Sequence, residues 1–241
     1  MLTRMPLVGL SLRGMLDRRR TWLMVLLAAM PVLTALAVVV AGGPRFSATI
    51  FDNLIIRTVV PLIALVFGAA AIGPELEDGT IVYLLTKPVR RLRIYLAKGV
   101  VAAGLASVLV VISTLATGLI ASAVRPDLAS IAVGYAIAAA VGATAYALVF
   151  LTLSTFTTRA LALGLGYVLL WEGILSGLLE GTRVLSIRQA TLGLATELTG
   201  IPARQAVLEG TAAVAILGLA IVGAIALGTW RLSRFQLRGG D

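Results

Sequence analysis

Histidine and cysteine are both absent from the 241-residue chain. Their absence excludes disulfide scaffolds, thiolate or imidazole metal sites, haem ligation and every catalytic dyad built on His or Cys. Charge is scarce too. Only 13% of residues are charged and 59% are hydrophobic, against roughly 25% and 45–50% in a soluble domain. With a mean hydropathy of +1.03 the chain would precipitate from water, so the soluble globular class is excluded. A phosphate loop of the form G-x-x-x-x-G-K-[ST] is also missing, because the only lysines are Lys87 and Lys98 and neither follows a glycine. An all-α polytopic membrane protein remains, with no catalytic, cofactor-binding or metal residues of its own.

Long uncharged windows fill the chain. A span needs about 20 apolar residues to cross a hydrocarbon core about 30 Å thick. The windows predict six transmembrane helices near 21–42, 53–74, 99–123, 133–154, 160–179 and 210–230, in one transmembrane domain over 1–241. The window between Asp127 and Arg159 is too long for one upright helix and too short for two, which predicts a single tilted span. Barrel strands would alternate polar and apolar over about 10 residues, and these windows are apolar all round. The first window also exceeds the 7–15 apolar residues of a cleaved signal peptide. Pro31 and Pro61 fall inside the first two spans and are expected to kink them.

The formal charge of +9 reads as topology rather than as a nucleic-acid footprint. With both termini on one side, that side receives Arg4, Arg13, Arg18, Arg19, Arg20, Lys87, Arg90, Arg91, Arg93, Lys98, Arg159, Arg231, Arg234 and Arg238. The opposite side receives Arg45, Arg57, Arg125, Arg183, Arg188 and Arg204. Fourteen basic residues against six place both termini in the cytoplasm of a multi-pass inner (plasma) membrane protein.

Two stretches between spans carry pattern. Before the first span, Met5, Val8, Leu12, Met15 and Leu16 recur at helical spacing. This suits an amphipathic helix lying in the interface, the alternative being a basic tail that only fixes topology. From Glu75 to Lys98, an acidic cluster (Glu75, Glu77, Asp78) ends the second span. Gly79 suits the left-handed residue that closes a helix. Thr80 then caps a short helix over Ile81–Leu85, and Pro88 stops it. The resulting knob carries Ile81, Tyr83, Leu84 and Leu85 with no core of their own, so it either contacts a protein or lies back on the bilayer.

Glu75-x-x-x-Gly79-Thr80, followed by Leu84-Leu85, Pro88, Arg91 and Lys98, resembles the signature of ABC transporter permeases of the type-2, export-associated superfamily. Leu151–Arg159 is similar to the short cytoplasmic turn between spans four and five of that family. Tyr167–Glu172 and Leu185–Arg188 resemble small six-span permeases of actinobacterial type. The resemblance implies a coupling helix between spans two and three that docks onto a nucleotide-binding subunit. Glu75, Gly79 and Thr80 would shape its start. Tyr83, Leu84 and Leu85 would fill a groove on the ATPase, and Pro88 and Arg91 would end and anchor it. It further implies two ABC ATPase subunits, which bind the ATP and magnesium, and a second permease, identical or paralogous.

Glu172 is the one ionisable residue well inside an apolar window. Such a residue faces a substrate path, a dimer interface or a partner helix, unless the helix is already emerging there into a watery vestibule. Gly173-x-x-x-Gly177-x-x-x-Gly181 follows, a spacing that permits close helix approach. The segment Glu180–Glu209 is too polar to span and reads as an ordered outer loop. By the resemblance it includes short re-entrant helices. The chain is therefore expected to be a non-enzymatic permease subunit exporting a hydrophobic or amphipathic substrate. The alternative is an ion- or proton-coupled secondary carrier using Glu172, although such carriers usually show several midplane ionisable groups and internal repeats.

Overall fold

The computed structural model describes residues 18–41, 50–73, 75, 90–175, 185–201, 208 and 210–234. All regular elements among them are helical. They are α1 (Arg18–Val40), α2 (Phe51–Ala70), α3 (Arg91–Ala121), α4 (Asp127–Phe156), α5 (Ala160–Gly166), α6 (Ile187–Thr199) and α7 (Gly210–Ser233). A π-wound stretch, Tyr167–Leu175, continues α5 directly. Five of these helices, α1, α2, α3, α4 and α7, are long and apolar enough to cross a membrane. Trp22 and Leu26 of α1, Val100 of α3, Val133 of α4 and Leu219 of α7 stand exposed, apolar surface that calls for lipid or protein to cover it. The chain is a multi-pass membrane protein.

Two helices overrun their predicted spans: α3 has 31 residues and α4 has 30, about 45 Å each at 1.5 Å per residue. The fifth expected span appears as α5 and its π continuation, with 176–179 outside the described residues. The amphipathic stretch before Asp17 also lies outside them, as do residues 76–89, where the coupling helix is expected.

Helix α4 is the axis of the bundle. Its antiparallel partner α3 meets it along its whole length, Tyr95 beside Leu148, Ser107 beside Ala140, and Gly118 beside Ala132. Small residues make this possible: Ala102, Ala106, Ala138, Ala139, Ala143 and Ala145 are all buried, so the backbones approach closely without a large side chain between them. Helix α2 runs parallel to α4, with Asp52 at Tyr135 and Gly68 at Ala147. The ends of α2, α4 and α7 and the starts of α3 and α5 therefore gather at one end of the bundle. That end bears Arg90, Arg91, Arg93, Arg159, Arg231 and Arg234, and is called the basic end below.

The prolines are accommodated differently from one another. α1 runs through Pro31, with Thr34 Oγ1 donating to the Pro31 carbonyl at 2.8 Å. Before Pro61, α2 is π-wound over Phe51–Val59. Val60 N bonds the Ile55 carbonyl and Thr58 Oγ1 the Asn53 carbonyl at 3.0 Å, both five residues back. A proline cannot donate and its ring collides with the carbonyl four residues earlier. The wider winding takes up that conflict.

Candidate functional site

In an apolar bundle the informative residues are the polar ones that have been carried inside. The first group lies at the basic end. Glu75 follows the end of α2, and Lys98 sits about 10 Å into α3 from Arg91. Lys98 is 5% exposed. Its Nζ donates to Glu75 Oε1 at 2.6 Å and to the Ala71 carbonyl, also at 2.6 Å. Ala71 is the C-cap of α2, where carbonyls lack helical partners and the helix dipole is negative. A buried ammonium thus closes one helix while standing on the next. Nearby, Tyr95 donates its hydroxyl to the Leu148 carbonyl at 3.0 Å and lies 2.8 Å from Thr152 Oγ1. Thr152 donates on to the Ala224 carbonyl of α7 at 2.9 Å.

The second group surrounds Glu172, which lies in the π-wound stretch after α5 and is 2% exposed. Its Oε1 accepts from Tyr146 Oη at 2.9 Å, Tyr167 Oη at 3.2 Å and the Ile187 backbone N–H at 3.1 Å. Its Oε2 accepts from Ser186 Oγ, and Arg188 Nε stands 3.9 Å away. Ser186 is the N-cap of α6, its hydroxyl oxygen accepting from Gln189 N at 3.1 Å. The carboxylate therefore docks on the positive end of a helix, where dipole and free N–H groups favour an anion. This overturns the vestibule reading of Glu172: the side chain is buried among the chain's own helices and does not open into water.

That contact also shows how α6 is held. Tyr146 lies about 15 Å from the basic end of α4 and about 28 Å from the other. From this depth α6 runs back along α4, with Thr191 against Gly142 and Thr199 against Gly134. A Cβ at Gly142 would fall 2.5 Å from Thr191 Oγ1, so this approach needs glycine. Gly200, at φ 66°, caps α6 in the left-handed region, which is open to glycine at no steric cost. The described part of the segment 180–209 thus places α6 inside the bundle, packed along α4 from the depth of Tyr146 towards the end opposite the basic one. Among the described residues, a Cβ at Gly173 would meet the Val168 carbonyl at 3.6 Å; Gly177 and Gly181, the rest of that spacing, lie outside them.

A third feature is an apolar groove of about 800 Å³ between α1, α2 and α5, lined by residues such as Leu23, Met30, Leu62, Val66, Leu161 and Leu165.

Of the site residues expected from sequence, the described structure contains Glu75, Arg91 and Glu172. Arg91 opens α3. Gly79, Thr80, Tyr83, Leu84, Leu85 and Pro88 lie outside the described residues. Sequence reasoning missed the partners: Lys98 for Glu75, and Tyr146, Tyr167, Ser186 and Arg188 for Glu172. It also missed Asp52, 7% exposed, which accepts from Tyr135 Oη at 2.6 Å. For Lys98 a signal was present, since it is one of only two lysines and borders an apolar window. The tyrosines offered none, because an isolated Tyr in a greasy helix looks like ordinary packing. Among the described residues no group of His, Cys, Asp and Glu could hold a metal ion. The polar clusters join helices: α2 to α3 through Lys98, and α4 to α5 and α6 through Glu172.

The sequence model of a family described as ABC-2 family transporter protein matches residues 16–178. The match takes in Glu75, Lys98 and Glu172 and ends before α6. No curated protein matches the chain.

Proposed function

The chain belongs to the ABC-2 transporter family and is a membrane permease of that family; from this premise we propose that it exports a hydrophobic or amphipathic substrate, driven by a separate ATPase. The family match carries the reading. The composition agrees with it: among the described residues five helices are fit to cross a membrane, and the given sequence contains no phosphate loop. Two permeases, identical or paralogous, enclose the path in the inner membrane, and two ATPase subunits hold the ATP and magnesium. Both termini and the 75–91 segment face the cytoplasm, as the distribution of Lys and Arg supports.

In this reading the ATPase pushes on the element 79–88, where Tyr83, Leu84 and Leu85 meet it. Glu75, Gly79 and Thr80 shape the element's start, and Pro88 and Arg91 fix its end. ATP binding biases a two-state rearrangement between inward- and outward-open forms. The apolar lining of the α1–α2–α5 groove supports a greasy passenger. No observation favours the secondary-carrier alternative, since Glu172 is already held by four donors of its own chain.

The test is co-purification of the tagged chain with its co-expressed ABC ATPase, read as vanadate-sensitive ATP hydrolysis. Wild type is expected to bring down an active ATPase, and a folded Leu84→Asp/Leu85→Asp variant to lose it. An ATPase that never associates, or that ignores the double variant, would overturn the assignment.

A further inference from the structure

We propose that Lys98 is a positioning residue that locks the end of α2 to the start of α3, so that a push delivered at this end of the bundle moves both helices as one body. The inference rests on the permease reading above and adds to it a residue outside the family signature's docking element.

The geometry that carries it is the placement of one buried cation between two helices. The chain leaves α2 through Glu75 and enters α3 at Arg91. Lys98 reaches back from α3 to both the Ala71 carbonyl and Glu75 Oε1, each at 2.6 Å. Contacts of this length to a charged donor are strong and directional. With Lys98 only 5% exposed, water does not compete for the ammonium. Glu75 and α2 cannot move along the bundle without drawing α3 with them.

α3 is itself tied onward. Three residues before Lys98, Tyr95 is bonded to the Leu148 carbonyl of α4 and is in contact with Thr152, whose hydroxyl reaches the Ala224 carbonyl of α7. A push at this end is therefore delivered to α2 and α3 as one body, and through Tyr95 to α4 and α7. Coupling of this kind needs a demonstrated bias on a two-state element and not proximity alone, which sets the form of the test.

Lys98→Met keeps the side-chain length and removes a buried charge, so the apolar interior accepts it, and Glu75 at 35% exposure can turn to water. In the full permease–ATPase complex in proteoliposomes, Lys98→Met is expected to retain the ATPase at wild-type stoichiometry. Its KM for ATP should stay within twofold, while kcat falls at least tenfold. Lys98→Arg, which keeps charge and reach, should recover at least half of the wild-type kcat. A merely structural residue would lose association with turnover and would not be rescued by Arg. A kcat for Lys98→Met within twofold of wild type would overturn the proposal, as would an Arg variant no better than Met. If Lys98→Met does not accumulate, Lys98→Gln takes its place, read by the same split of KM and kcat: a fivefold fall in kcat supports the clamp and a wild-type kcat overturns it. If wild type binds no ATPase, the permease reading fails, and the clamp is judged on the chain alone. Spin labels at Gly73→Cys, where a Cβ meets nothing within 4 Å, and at the exposed Val100→Cys, in this cysteine-free background, should give a distance distribution that broadens in Lys98→Met. An unchanged distribution would overturn the clamp separately.

Discussion

Replacing Glu172 by alanine removes the one acceptor that joins α4, the π-wound end of α5 and the start of α6. Tyr146, Tyr167, Ser186 and the Ile187 N–H lose their common partner, and Arg188 loses the carboxylate 3.9 Å away. Breaking one side of a buried ion pair costs about 3–5 kcal/mol. Each buried donor left without an acceptor costs about 1–3 kcal/mol. These losses do not add, because the donors share two oxygens and the hydroxyls can rotate. An expected destabilisation of about 5 kcal/mol follows. At roughly 2–4 °C per kcal/mol for a chain of this size, Tm should fall by about 10–20 °C. The assay is thermal unfolding in detergent, followed by tryptophan fluorescence, for which Trp171 beside Glu172 is well placed. Glu172→Gln keeps the shape and one acceptor oxygen and should lose about half as much. A fall below about 4 °C for Glu172→Ala would refute the view that this carboxylate holds α6 in place, and would reopen a role for it in the substrate path.

Two further outcomes follow from the packing and the charges. Gly142→Val drives a side chain into Thr191 and should displace α6 from α4, at a cost of about 1–3 kcal/mol for overpacking. It should be seen as faster proteolysis within 185–201 while α3–α4 cross-links between engineered cysteines persist, and equal proteolysis rates would count against the packing of α6 on α4. In the cysteine-free chain, Arg125→Cys should react with an impermeant maleimide in intact cells, whereas Arg159→Cys and Arg234→Cys should react only after permeabilisation. The opposite labelling pattern would invert the topology assigned from the basic residues.

The sequence by itself determined the class of this protein, because membrane helices answer to composition. Uncharged windows of about 20 residues suffice to predict spans whatever lies beside them. Hence α1, α2, α3, α4 and α7 could be located before any contact was known. The resemblance of the Glu75–Lys98 pattern to ABC permeases likewise pointed to the family that the match over 16–178 shows. What the windows could not reveal was the partner of each buried polar group. That depends on which helix face meets which, and an apolar helix gives little periodicity from which to choose a face. So Lys98 beside Ala71, Tyr135 beside Asp52, and Tyr146 beside Glu172 had to await the packed bundle. The same holds for α6. Its sequence, with Arg188, Gln189 and Glu197, is too polar to be read as membrane helix. Only the tertiary structure could bring it inside, because its first turn is neutralised by a carboxylate that lies 15 residues earlier in the chain.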